Sequence, residues 1–155
     1  MKSRAIMLVS VVFAAISSFA AGVEIHAPAN GCAVRWFEKS VSLPDGTKLY
    51  TFGAAPADAG KCPIVITRSP YEKPVRVNMA KWSKSQRKYL ERGYARIHQH
   101  CRGCGMSEGD WVPYEDERAD GLAFLDFVRK LPWYNGEIFV SGSSYPASVH
   151  WSYLD

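Results

Sequence analysis

The stretch Glu137-Ile138-Phe139-Val140-Ser141-Gly142-Ser143-Ser144-Tyr145-Pro146 constrains this chain more than any other, because an apolar strand runs into Gly-x-Ser and then into a potential helix. That order predicts a sharp strand-to-helix turn that lifts a serine hydroxyl, on Ser144, above a parallel sheet. Taken alone, Gly-x-Ser is a weak signal, since glycine and serine crowd ordinary turns. Its weight comes from what precedes it.

Pro63-Ile64-Val65-Ile66-Thr67 is a continuous, largely β-branched run, as expected for a strand covered on both faces. Residues 94–100 form a second such candidate. Residues 78–92 turn helical and stop at Gly93, with Lys81, Lys84, Arg87 and Lys88 as a solvated face. Residues 115–131 make the clearest helix, with Phe124, Phe127, Val128 and Leu131 on one side and acidic residues in the first turns, where they suit the dipole. Pro132 and Asn135-Gly136 are expected to end it, and a Gly-rich loop covers residues 101–111. Earlier, residues 33–43 and 49–52 flank Pro44-Asp45-Gly46-Thr47, which predicts a β-hairpin, while residues 53–61 read as a loop. Alternating strands and helices are the rhythm of an α/β fold, here with a leading hairpin and a mostly parallel sheet.

Lys2 and Arg4, an apolar stretch over residues 5–15 and the small residues Ser17, Ser18, Ala20 and Ala21 have the three-part pattern of a secretory signal peptide, cut between Ala20 and Ala21. The apolar stretch is shorter than the ~20 residues a membrane span needs. Cleavage removes two of nineteen basic residues and none of fifteen acidic ones, so the formal charge falls from +4 to +2. So small a charge gives no reason to expect nucleic acid or a membrane surface as a partner. Export also favours disulfides among Cys32, Cys62, Cys101 and Cys104. Four cysteines allow three pairings, of which Cys32 with Cys62 and Cys101 with Cys104 is the one expected.

Several short motifs occur together in one order. They are Asp45-Gly46-Thr47-Lys48-Leu49, Arg68-Ser69-Pro70-Tyr71, Gly93-Tyr94, Arg102-Gly103, Met106-Ser107-Glu108-Gly109, Asp120-Gly121, Pro132-Trp133, Asn135-Gly136 and Gly142-Ser143-Ser144-Tyr145. In this order they resemble the Xaa-Pro dipeptidyl-peptidase-like serine hydrolases, the family that includes the cocaine-esterase-type and α-amino-acid ester hydrolases. The resemblance implies an α/β-hydrolase fold and hydrolysis of small-molecule esters, amides or peptides, with no metal or organic cofactor. It assigns Ser144 as nucleophile, the Tyr71 hydroxyl as one oxyanion donor and the Tyr145 backbone N–H as the other. Gly142-Ser143-Ser144-Tyr145 is similar to the ester-hydrolase variant of the motif. The chain departs from the family at Ala147, where glycine is usual and a methyl is expected to crowd the turn, and at His100, where aspartate is usual.

In α/β-hydrolases the acid and then the histidine follow the serine in the chain. Both are expected beyond Asp155, so the chain reads as a signal peptide over residues 1–20, a lead-in over 21–34 and a partial catalytic domain over 35–155, inactive by itself. Of the histidines, His150 lies six residues past Ser144 on the same predicted helix and should point away from it, while His98 and His100 belong to a strand. His98, His100, Cys101 and Cys104 suggest a second reading, a zinc-binding module, because all four are good zinc ligands. A third is a non-catalytic remnant.

Overall fold

The computed structural model describes residues 23–26, 33–75 and 84–154. The leader and Cys32 lie outside the described residues. Among the described residues six strands and three helices follow in the order β1 (Val23–His26), β2 (Val34–Ser42), β3 (Lys48–Pro56), β4 (Cys62–Ser69), α1 (Lys84–Glu91), β5 (Ala95–His100), α2 (Glu117–Arg129), β6 (Tyr134–Val140) and α3 (Tyr145–Trp151). The strands form one sheet in the spatial order β1-β2-β3-β5-β4-β6. The sheet is mixed: the pairings from β1 to β3 and of β3 with β5 are antiparallel, and β4 is parallel to both β5 and β6. The parallel part is therefore the part that carries the strand before Ser144.

The hairpin forms as expected, closed by Leu43 N–H donating to Thr47 O at 2.8 Å. Its second strand continues through Gly53-Ala54-Ala55 to Pro56, which corrects the loop expected over residues 53–61. Asn135 and Gly136 lie inside β6 and do not end the preceding helix. Cys62 pairs with Tyr134 but Ile64 pairs with Ile138, so two extra residues bulge out between them.

Apolar side chains alternate across β4 and β5 and so build two layers. Ile64, Ile66 and Ile97 face Phe124, Leu125 and Val128 of α2, with Trp133 and Tyr153 closing the cluster. On the other face Trp36, Tyr50 and Phe52 pack with Leu90 of α1. Arg87 and Lys88 are exposed, as a solvated helix face should be. β6 is the edge strand of the described sheet, and its Phe139 and Val140 side chains are exposed. No helix among the described residues is long and apolar enough to cross a membrane.

The expected Cys101–Cys104 disulfide is corrected, while the Cys32–Cys62 pairing involves Cys32, which lies outside the described residues. Cys62, Cys101 and Cys104 are buried free thiols. Cys104 N–H donates to Cys101 O at 3.0 Å in a tight turn, and both side chains pack against Val149 of α3.

Candidate active site

β6 hands the chain to α3 through Ser141-Gly142-Ser143-Ser144. The end of the strand is fastened to β4 twice: Ser141 N–H donates to Ile66 O at 2.9 Å and the Thr67 hydroxyl donates to Ser141 O at 2.6 Å. The turn then tightens so far that a Cβ on Gly142 would stand 2.6 Å from the Pro146 carbonyl carbon. Only glycine fits there. Ser144 has φ 58° and ψ −134°, a backbone region that side-chain-bearing residues rarely occupy. Its carbonyl accepts from Ala147 N–H at 2.9 Å and Ser148 N–H at 3.1 Å, which starts α3 with Pro146 in the first turn. Ala147 sits in this turn with its N–H bonded to Ser144 O, and the close backbone approach falls on Gly142.

Ser144 is exposed, and the Tyr71 hydroxyl lies 3.3 Å from its Oγ. Tyr71 reaches it from the end of β4, where its N–H donates to Ser69 Oγ at 3.2 Å. Tyr145 N–H begins α3, where no carbonyl of the helix itself can receive it. The Tyr145 side chain turns the other way. Its hydroxyl donates to Glu117 Oε1 at 3.1 Å and accepts from Tyr114 N–H at 2.9 Å, and its ring lies against Tyr114 and Trp111. Burial, with Glu117 adding to it, pushes the Tyr145 phenol up to about 12, so the hydroxyl stays protonated as a donor. The structure thus places the Tyr71 hydroxyl beside the Ser144 hydroxyl, with Tyr145 next in the chain at the start of α3.

Behind them lies a chain of charges linking motifs that are far apart in sequence. Arg68 is fully buried on β4. Its Nη1 donates to Glu117 Oε2 at 2.7 Å and to Glu117 O at 3.1 Å, its Nε donates to Gln99 Oε1 at 3.0 Å, and its Nη2 lies 3.6 Å from Asp120 Oδ2. Asp120 in turn binds Arg102, whose Nη1 donates to Asp45 Oδ2 at 2.7 Å. Glu117 and Asp120 therefore point inward as partners of the buried Arg68 guanidinium, a role beyond suiting the dipole of α2. The Gly-rich loop is held by the same kind of economy: Tyr50 N–H donates to Ser107 Oγ at 2.9 Å, Ser107 Oγ donates to His100 O at 2.9 Å, and Lys48 N–H donates to Glu108 Oε2 at 3.1 Å.

His98, His100 and His150 are occupied elsewhere. His150 is buried and its Nδ1 shares a hydrogen bond with the Tyr153 hydroxyl. His98 stacks on Phe52, and His100 Nδ1 accepts from Met106 N–H at 3.0 Å. The four residues of the suggested zinc set do not converge, because His98 and His100 face Phe52 and Tyr50 while Cys101 and Cys104 lie beneath α3. Among the described residues no group of three or more His, Cys, Asp or Glu side chains is placed to hold a metal ion.

These features agree with what is similar among known proteins. Cocaine esterase of Rhodococcus sp. (strain MB1 Bresler) is 32% identical over 114 residues, covering 72% of this chain and 19% of that protein. A solved α-amino acid ester hydrolase superposes with a TM-score of 0.65 at 28% identity, over 88% of this chain and 25% of the other. A CocE/NonD family hydrolase from Staphylococcus aureus shares the fold with a TM-score of 0.69 at 23% identity, over 85% and 28% of the two chains. The chain spans about a fifth of the length of the curated relatives it matches. The family model described as X-Pro dipeptidyl-peptidase (S15 family) matches residues 45–154, the same span that runs from the hairpin turn through the Ser144 turn, and the chain belongs to that family.

Proposed function

We propose that this chain carries the nucleophile-bearing part of an exported serine hydrolase that cleaves small-molecule esters through an acyl-enzyme on Ser144. The observation that carries the reading is the Tyr71 hydroxyl, 3.3 Å from an exposed Ser144 Oγ held at a strained strand-to-helix turn. Ser144 Oγ attacks the ester carbonyl carbon while a base takes its proton. The carbonyl oxygen becomes an oxyanion, and the Tyr71 O–H and Tyr145 N–H donate to it, because donors aimed at developing charge lower the barrier most. Collapse expels the alcohol, which takes the proton back from the base, and water then releases the acid by the same steps in reverse order. His98, His100 and His150 are each engaged away from Ser144, so this reading uses none of the three as the base and takes it from later in the chain, following the order of serine, acid and histidine in this fold. No metal or organic cofactor takes part in this scheme. Esters are favoured over Xaa-Pro peptides by the 32% identity to a cocaine esterase.

The test is labelling of the native gene product with a fluorophosphonate, followed by peptide mapping. The adduct is expected on Ser144, with ester turnover abolished by Ser144→Ala. An adduct elsewhere, or turnover that survives the substitution, overturns the assignment. Comparing a p-nitrophenyl ester with an Xaa-Pro p-nitroanilide decides between the two substrate classes.

A further inference from the structure

We propose that Glu117 is a positioning residue for the oxyanion site, a single carboxylate that holds both segments from which the site's two donors come. The inference rests on the reading of Ser144 as nucleophile. One oxygen of Glu117 accepts from Arg68 Nη1 at 2.7 Å, and the other accepts from the Tyr145 hydroxyl at 3.1 Å. Arg68 lies on β4 three residues before Tyr71, with Ser69 Oγ already bound to Tyr71 N–H. Tyr145 supplies the other donor from its own backbone. The spacing between the two donor segments is therefore set through one side chain at the start of α2.

That side chain has little freedom. Glu117 is 4% exposed, its own carbonyl accepts from the same Arg68 nitrogen at 3.1 Å, and α2 is fastened a turn later by Asp120. Tyr145 is held too: its half-buried ring lies against Tyr114 and Trp111 and its phenol oxygen takes the Tyr114 N–H. With the phenol tip held, the Tyr145 Cα can turn little, and the N–H beside Ser144 keeps its direction. Ser144 itself sits at φ 58°, a conformation that persists only where surrounding contacts over-determine it. The Glu117–Tyr145 bond is one of those contacts. A purely structural role for Glu117 would be satisfied by Arg68 alone and would leave Tyr145 free to choose another partner.

The test compares Glu117→Gln, Tyr145→Phe and the double variant in the native gene product. Glu117→Gln keeps the shape but removes the charge, and Tyr145→Phe removes only the hydroxyl and leaves the Arg68 pair intact. Each single change is expected to lower kcat for a p-nitrophenyl ester by about 10- to 100-fold with KM within about two-fold, as for a misaligned oxyanion donor. If the two residues act through one bond, the double variant is no slower than the slower single variant. Multiplying effects, or unchanged kcat in folded protein, would overturn the proposal. Hydrogen exchange gives a readout that needs no activity. Residues 141–148 should exchange faster in both single variants while β4 and β5 do not change, and uniform loosening or no change overturns it. Ser144→Ala run alongside separates the two readings, since surviving turnover removes the nucleophile assignment while the exchange result still judges Glu117.

Discussion

Arg102 and Asp120 face each other through two hydrogen bonds, Nη2 to Oδ1 at 2.7 Å and Nε to Oδ2 at 3.2 Å. This planar fork ties the loop after β5 to α2, and the free side of Arg102 reaches on to Asp45 and Thr47 in the hairpin turn. The bond to Asp120 is the main reason the Arg102 guanidinium is held above its ordinary range. Asp120→Asn leaves Arg68 and Arg102 with one fewer counter-charge in a buried setting. Breaking one side of such a pair costs about 3 kcal/mol, so the urea midpoint should fall clearly. Arg102→Lys should fall less, since an ammonium keeps the charge but not the fork. Unchanged midpoints in both variants would mean the fork contributes nothing.

Gly142→Ala tests the Ser144 turn directly. A methyl at 142 would meet Pro146 and Ala147 backbone atoms at 2.6–2.8 Å, and backbone cannot step aside as the tip of a flexible side chain can. Overpacking of this kind costs about 1–3 kcal/mol. The variant is expected to melt earlier and to lose fluorophosphonate labelling of Ser144. Labelling at the normal rate would show that the turn has room to spare.

Stability should also fall on the acid side of neutrality. Burial drives His98 down to about 3 and both His100 and His150 down to about 4, from 6.5 in the unfolded chain. The folded state keeps all three neutral, while the unfolded state takes up protons near 6.5. Their contribution is thus complete above pH 6.5 and is lost as pH falls from 6.5 towards about 4. Urea midpoints measured from pH 7.5 to 4.5 should decline through this window, and His98→Phe, which keeps a ring against Phe52, should reduce the slope. A flat profile would show that these histidines titrate alike in both states.

The parts of this fold legible in the sequence are those whose cause is local. β4 and α2 announce themselves by apolar runs and helical spacing, and the turn at Ser144 by its glycine and serine between a strand and a helix. Gly53-Ala54-Ala55 was misleading because its smallness looks like a loop. In the structure a Cβ on Gly53 would come within 2.6 Å of Arg96 O, so smallness there is what lets β3 lie against β5. Asn135-Gly136 has turn chemistry but is spent on a bulge. Glu117 was hidden for a different reason. Its partner Arg68 lies 49 residues earlier, and nothing near Glu117 in the sequence separates a buried ion pair from an acidic first turn. The Cys101–Cys104 pairing failed likewise, because pairing depends on which side chains meet in space.

The buried thiols give an independent check on the packing under α3. Burial raises the Cys62, Cys101 and Cys104 thiols above their ordinary value, so little thiolate exists near neutral pH. The native protein is expected to react negligibly with a thiol reagent at these three positions and to release all three on denaturation. Prompt labelling of Cys101 or Cys104 before unfolding would mean that α3 does not cover them. Absence of labelling even in denaturant would reveal a disulfide.

Tyr71→Phe isolates a single hydroxyl. Tyr71 is 64% exposed and its ring does not belong to the core clusters, so removing one oxygen should leave the melting temperature almost unchanged. The same oxygen lies 3.3 Å from Ser144 Oγ, where the proposed mechanism puts the carbonyl oxygen of an ester as it gathers charge. A donor that acts mainly in the transition state lowers kcat when lost and leaves KM nearly alone, with a fall of about 100-fold or more as the usual scale. Ester hydrolysis by Tyr71→Phe in the native gene product, measured as kcat and KM separately, is expected to follow that split. A rise in KM at constant kcat would instead make Tyr71 a substrate-binding side chain. It would also leave the Tyr145 N–H as the one oxyanion donor of the proposed scheme.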